Sequence, residues 1–213
     1  MLTHLRLSVL DRPGMLARIT GVLADAGADI RTISVLERQS GRALDDVYLD
    51  WPDSVLPSVL AERMGQVNGV RVLGLRPSRE MPGAFPDIDL LTQVLATASR
   101  GVDTLVDMAS FAFGADWAAS VSYASGAPAL LYCTAAPDDV VVVPDTAMSR
   151  ATTMEIDGVH IAVTPLEPLE AVLVCGRAGQ PAFHRVELER IRRVTELAVG
   201  LVRAEVATTL SPS

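Results

Sequence analysis

From His4 to Leu10 the chain alternates. Leu5, Leu7 and Val9 share one face and His4, Arg6 and Ser8 the other, the period of a half-buried strand. Asp11-Arg12-Pro13-Gly14 then reads as a turn that opens a helix, because proline suits the first helical position, where no N–H is needed. Leu16, Ile19, Val22, Leu23 and Ala26 form one apolar helical stripe, and Gly27 supplies a left-handed end. A second strand is expected over 30–39, with a bend near Arg31-Thr32 where Ile30 and Ile33 break the alternation. Ser40-Gly41-Arg42 turns it into a third strand, 44–51, with Val47, Leu49 and Trp51 inward. A second helix, 55–66, is expected with Asp53 or Ser54 as its cap; Asn68-Gly69 leads into a last strand, 70–76. The order β-α-β-β-α-β predicts an α+β, ferredoxin-like fold: one four-stranded antiparallel sheet with both helices on one face.

Residues 78–86 are rich in proline and read as a linker. Beyond it, Leu91, Leu95, Ala98, Val102, Leu105, Ala109 and Ala112 alternate spacings of four and three, predicting one long helix over 88–113. Strands are expected at 117–124, 129–134, 140–143, 159–163 and 171–175. A closing helix is expected over 186–207, and Gly176-Arg177-Ala178-Gly179 reads as a hairpin turn. The long helices suit packing on each other within one subunit or a four-helix bundle between two.

The composition narrows the chemistry. All 18 basic residues are arginine, and without lysine there is no Schiff base, P-loop or lysine general base. Residues 1–80 are neutral overall, whereas 81–213 carry the whole net charge of −8, so neither half offers the basic stripe that nucleic acid requires. The first apolar stretch is broken by His4 and Arg6 and ends at Asp11, which fits neither a secretory core nor a membrane span, and a cytoplasmic protein is expected. Cys133 and Cys175 lie in apolar strands without metal or redox spacing, and the three histidines are scattered. No metal, cofactor or catalytic constellation is expected.

The run Leu5 to Leu16, with Asp-Arg-Pro-Gly-Met-Leu at 11–16, followed by Gly27-Ala28-Asp29-Ile30, resembles an ACT domain, a regulatory module that binds amino acids. The resemblance covers residues 3–77, in a domain expected over 1–77. Residues 87–207 are similar to a GAF domain, an antiparallel sheet flanked by long N- and C-terminal helices, with 208–213 as a tail. The similarity rests on Gly114-Ala115-Asp116-Trp117-Ala118, Val142-Val143-Pro144-Asp145, 161–166, 171–177 and Gln180-Pro181-Ala182-Phe183. Only 135–157 is available for the helix and lid that close over a ligand in that family, so a closed pocket and cyclic-nucleotide binding are not expected.

The sharpest candidate site is the loop after the first strand. A helix start offers unpaired N–H groups and a partial positive charge to a carboxylate. Gly14 lets a ligand approach the main chain, Asp11 is placed to accept from an ammonium group, and Arg12 to meet a second carboxylate. The same four residues also read as a plain turn. The resemblance implies a site formed by Asp11, Arg12, Pro13, Gly14, Met15 and Leu16, opposed by Asp29, Ile30 and Arg31 of a partner subunit. The expected protein is a non-enzymatic homodimer that senses a free amino acid and signals to an unidentified protein partner; the alternative is a dimerising scaffold without a ligand.

Overall fold

The computed structural model describes residues 1–52, 56–78, 85–134, 143–178 and 181–209. The chain divides into two compact units, Met1–Met81 and Pro82–Ser213. The anticipated cap at Asp53 or Ser54, the strand residues 140–142, Gly179 and the tail 210–213 lie outside the described residues.

The first unit follows the order β1 (Leu2–Leu10), α1 (Met15–Asp25), β2 (Asp29–Gln39), β3 (Arg42–Asp50), α2 (Pro57–Gly65), β4 (Val70–Pro77). Its sheet order is β2-β3-β1-β4, antiparallel throughout, which leaves β2 and β4 as edges. Alternation along β1 and β3 turns Leu5, Leu7, Val9, Val47 and Leu49 into one core with Ile19 and Leu23 of α1 and Leu60 and Met64 of α2. The bend anticipated near Arg31 is a register shift between Ile30 and Thr32; a second, between Val35 and Glu37, was not anticipated. On α1 Ile19, Leu23 and Ala26 are buried as expected, but the first position of the stripe is Met15, 3% exposed, in place of Leu16, 52% exposed.

The second unit contains α3 (Pro86–Ala96), a 3-10 turn (Ala98–Arg100), α4 (Gly101–Phe113), β5 (Trp117–Ser122), β6 (Ala129–Cys133), β7 (Thr152–Ile156), β8 (Val159–Pro165), β9 (Ala171–Ala178) and α5 (Arg185–Thr209). The single helix expected over 88–113 is therefore two. The break is local chemistry: the Thr97 hydroxyl donates back to the Gln93 carbonyl at 2.8 Å and meets Thr104 Oγ1 at 2.7 Å, while Gly101 lowers helix propensity. The break interrupts the heptad: Leu105, Ala109 and Ala112 stay in the core with Leu91 and Val102 packed against it. Leu90 and Val94 enter the core, and Leu95 is left exposed.

The five-stranded antiparallel sheet has the order β6-β5-β9-β8-β7. Its β7 was not anticipated, and Gly176-Arg177-Ala178 continues β9 instead of turning. Glycine is needed at 176 because the Trp117 indole lies across it, 2.1 Å from where a Cβ would stand. One sheet face carries Ala118, Leu173 and Cys175 against α3, α4 and α5. The other is filled by Trp117, Val121, Ile161, Val163 and Val174, with Val143 and Met148 against them. Among the described residues no helix is long and apolar enough to cross a membrane.

Candidate functional site

The loop after β1 is pinned from two sides. Leu10 N donates to Gly69 O and Asp11 N to Gly41 O, both at 2.9 Å. The chain then enters α1 through Gly14, a left-handed residue at φ 85°, which an L side chain adopts only with strain. No side chain caps the helix and no acid sits in its first turn. Met15 N reaches Arg12 O at 3.4 Å, but the N–H groups of Gly14, Leu16 and Ala17 have no partner among the described residues. Nothing lies within 4 Å of a Cβ position on Gly14. The result is an exposed, uncapped helix start suited to a carboxylate.

Around it, Asp11, Arg12, Pro13 and Gly14 are exposed, and exposed Leu16 adds an apolar flank. Arg12 Nε points to Met15 Sδ at 3.5 Å, and Arg38 Nε stands 4.0 Å from Asp11 Oδ1. Asp29, Ile30 and Arg31 lie elsewhere. They open β2, whose far end, Gln39, is the part that meets the turn beside the loop. Nine residues of strand separate Asp29 from Arg38, about 30 Å at 3.3 Å per residue. Within one protomer the two groups of site residues are not together. Ile30 packs against the core, and Arg31 bonds Asp50 at 2.6 Å.

Two polar features escaped the sequence reading. On the sheet face away from the helices, Arg6 grips Asp46 through Nε–Oδ1 at 2.7 Å and Nη2–Oδ2 at 2.8 Å. His4 Nε2 stands 3.0 Å from the same carboxylate, its ring stacks on Tyr48, and Arg76 Nε donates to its Nδ1 at 3.2 Å. Burial alone would push Asp46 up; the hydrogen bonds of Arg6 and His4 and the charge of Arg6 outweigh it and hold the carboxyl well below the usual carboxylate range. The register could have shown this cluster, since His4 faces Tyr48 and Arg6 faces Asp46 across β1 and β3. The second feature is Asp45, a buried acid in the helix-facing row of β3, with its Oδ1 unpartnered among the described residues.

In the second unit a groove of about 800 Å³ runs beside α5, with Arg150, Thr164, Glu167 and Arg203 among its walls. Arg192, which also lines it, is engaged by Glu189 and Glu196. Among the described residues no group of three His, Cys, Asp or Glu side chains is placed to hold a metal ion.

The family model for the ACT domain matches residues 3–64. This segment is an ACT domain. The loop of Gly14 and the edge strand β2 both lie inside it. The chain is similar to the crystal structure of the ACT domain from GTP pyrophosphokinase of Chlorobium tepidum, at 24% identity over 36% of this chain and 95% of that one, with a TM-score of 0.29. It is also similar to a formyltetrahydrofolate deformylase from Pseudomonas putida, at 20% identity and a TM-score of 0.32 over 49% of this chain. The chain spans only 39% of that enzyme's length. A GAF domain from Acinetobacter phosphoenolpyruvate-protein phosphotransferase aligns with 59% of this chain and 96% of its own, at 10% identity and a TM-score of 0.41. No curated protein matches the sequence.

Proposed function

We propose that this chain is a non-enzymatic regulatory protein that binds a free amino acid between two ACT domains. The observation that carries the reading is the uncapped start of α1, where three backbone N–H groups without partners surround an exposed glycine. A carboxylate satisfies those donors and favours the positive end of the helix dipole. Asp11 beside it accepts from the ammonium group.

The second half of the site comes from symmetry. β2 is an edge strand, and an isologous twofold contact pairs two such edges in opposite directions. That pairing brings Asp29, Ile30 and Arg31 of one protomer beside the far end of the other's β2, next to its loop. It joins the two groups of residues that a single protomer holds apart. Ile88 and Leu95 on α3 and Leu197 on α5 are exposed and give the second unit an apolar surface of its own for dimer contacts. Through that unit the protein passes its state to a protein partner in the cytoplasm, without nucleic acid or membrane.

A thermal-shift panel of the common amino acids tests this. A ligand at one hundred times its Kd adds about 2.7 kcal/mol, or roughly 5–10 °C for a chain of this size. Gly14→Asn tolerates the left-handed backbone while filling the cradle, and it removes the shift. A flat panel with an intact dimer in sedimentation establishes the scaffold instead, and disappearance of the added amino acid on incubation establishes an enzyme.

A further inference from the structure

A buried acceptor without a partner is costly, and more so when charged, so its retention calls for a cause. Asp45 is such a group. It is 7% exposed, and its Oδ1 has no partner among the described residues. Its cross-strand neighbours are apolar, Leu7 on β1 and Val35 on β2. The charged groups acting on it are Arg38, Asp11 and Asp46. Arg38 stands 4.0 Å from Asp11 and makes no hydrogen bond to Asp45, while Asp46 points to the opposite face and is held by Arg6. Burial, with the like charges of Asp11 and Asp46, pushes the Asp45 carboxyl up, and Arg38 opposes this only in part.

Asp45 shares the helix-facing row with Leu7, three residues before the end of β1 from which the loop departs. Leu10, the residue before Asp11, pairs with Arg42, and Asp45 is three residues further along β3. That offset is about 10 Å at 3.3 Å per residue. An offset of that order suits a long ligand side chain rather than a short one, and the charge of Asp11 acts on Asp45 across it.

We propose that Asp45 is the specificity residue of the site at 11–16, accepting the terminal N–H donor of a long ligand side chain whose α-carboxylate rests on the start of α1. This rests on the amino-acid reading above and narrows it to α-amino acids ending in an amide, guanidinium or ammonium group. A terminal carboxylate is repelled by Asp11 and Asp45. A terminal thioether leaves Oδ1 unsatisfied.

The test is titration calorimetry on the full chain with glutamine, arginine, lysine, glutamate, methionine and serine. It compares the wild type with Asp45→Leu, and with Asp45→Asn as the variant that keeps the shape. The expected result is binding of at least one N–H-terminated amino acid, with glutamate and methionine at least tenfold weaker. Asp45→Leu weakens that ligand at least tenfold, while the melting temperature without ligand is unchanged or raised. Should the leucine variant fail to fold, Asp45→Asn must weaken lysine or arginine by the same factor. Equal binding of glutamate or methionine, unchanged affinity in the variants, or a lowered melting temperature with affinity intact overturns the role of Asp45 alone. So does binding of serine in preference to the long side chains. Absence of binding by every amino acid overturns this role together with the reading on which it rests.

Discussion

Replacing Asp46 by alanine leaves the Arg6 guanidinium, whose side chain is 4% exposed, buried without its counter-charge. Two hydrogen bonds of 2.7 and 2.8 Å and the 3.0 Å contact with His4 go with it. Breaking a buried pair from one side costs about 3–5 kcal/mol, a large share of the roughly 5–15 kcal/mol that holds a domain folded. Hydrogen exchange of the β1 and β3 amides reads this in the ACT domain alone. At tenfold per 1.4 kcal/mol, their exchange through global opening accelerates by about two to three and a half orders of magnitude. The double replacement Arg6→Met with Asp46→Leu removes both charges and recovers most of that loss. The acid side carries its own sign. The folded carboxyl is depressed, so its contribution is complete above the unfolded value and disappears as pH falls below about 4. The wild type therefore loses stability over that range more steeply than Asp46→Asn. An acceleration under tenfold for Asp46→Ala, or parallel acid profiles, refutes the reasoning.

In the second unit, Arg177 donates to the carbonyls of Phe113 and Gly114 and to Glu187, which itself accepts from His184 N at the start of α5. Arg177→Ala lowers that unit's stability by about 3–5 kcal/mol in urea unfolding followed by Trp117 fluorescence. Gly176→Ala meets the indole of Trp117 and costs about 1–3 kcal/mol or more in the same assay, with a shifted emission maximum. Burial pushes the Cys175 thiol up to about 12, so maleimide at pH 8 modifies native protein at Cys133, and Cys175 reacts only on unfolding.

The ACT domain was legible because its information is local. Alternation over His4–Leu10, the Asp-Arg-Pro-Gly turn and the glycines at helix and hairpin ends each determine a few residues, and together they determine an order of elements. Gly14 was legible for the same reason, since a glycine after proline at a strand end has few other uses. What depended on partners distant in sequence was not. Asp45 and Asp46 are neighbours in sequence, yet Asp46 is gripped by Arg6 from forty residues away and Asp45 is buried beside Leu7 and Val35. Arg177 read as part of a turn because glycines flank it; its partners come from α4 and α5. The seven-residue spacing through Leu95 and Ala98 looked continuous because periodicity does not register a threonine that bonds its own backbone. The loop and Asp29–Arg31 are joined, on this account, only by a second chain.

Amide chemical shifts recorded while a binding amino acid is titrated into the labelled protein test the central claim most directly. Asp11–Leu16 and Asp29–Arg31 are expected to move together, with one saturation curve, although about 30 Å of strand separates them in a protomer. Shifts confined to one of these two segments, or to neither, contradict it.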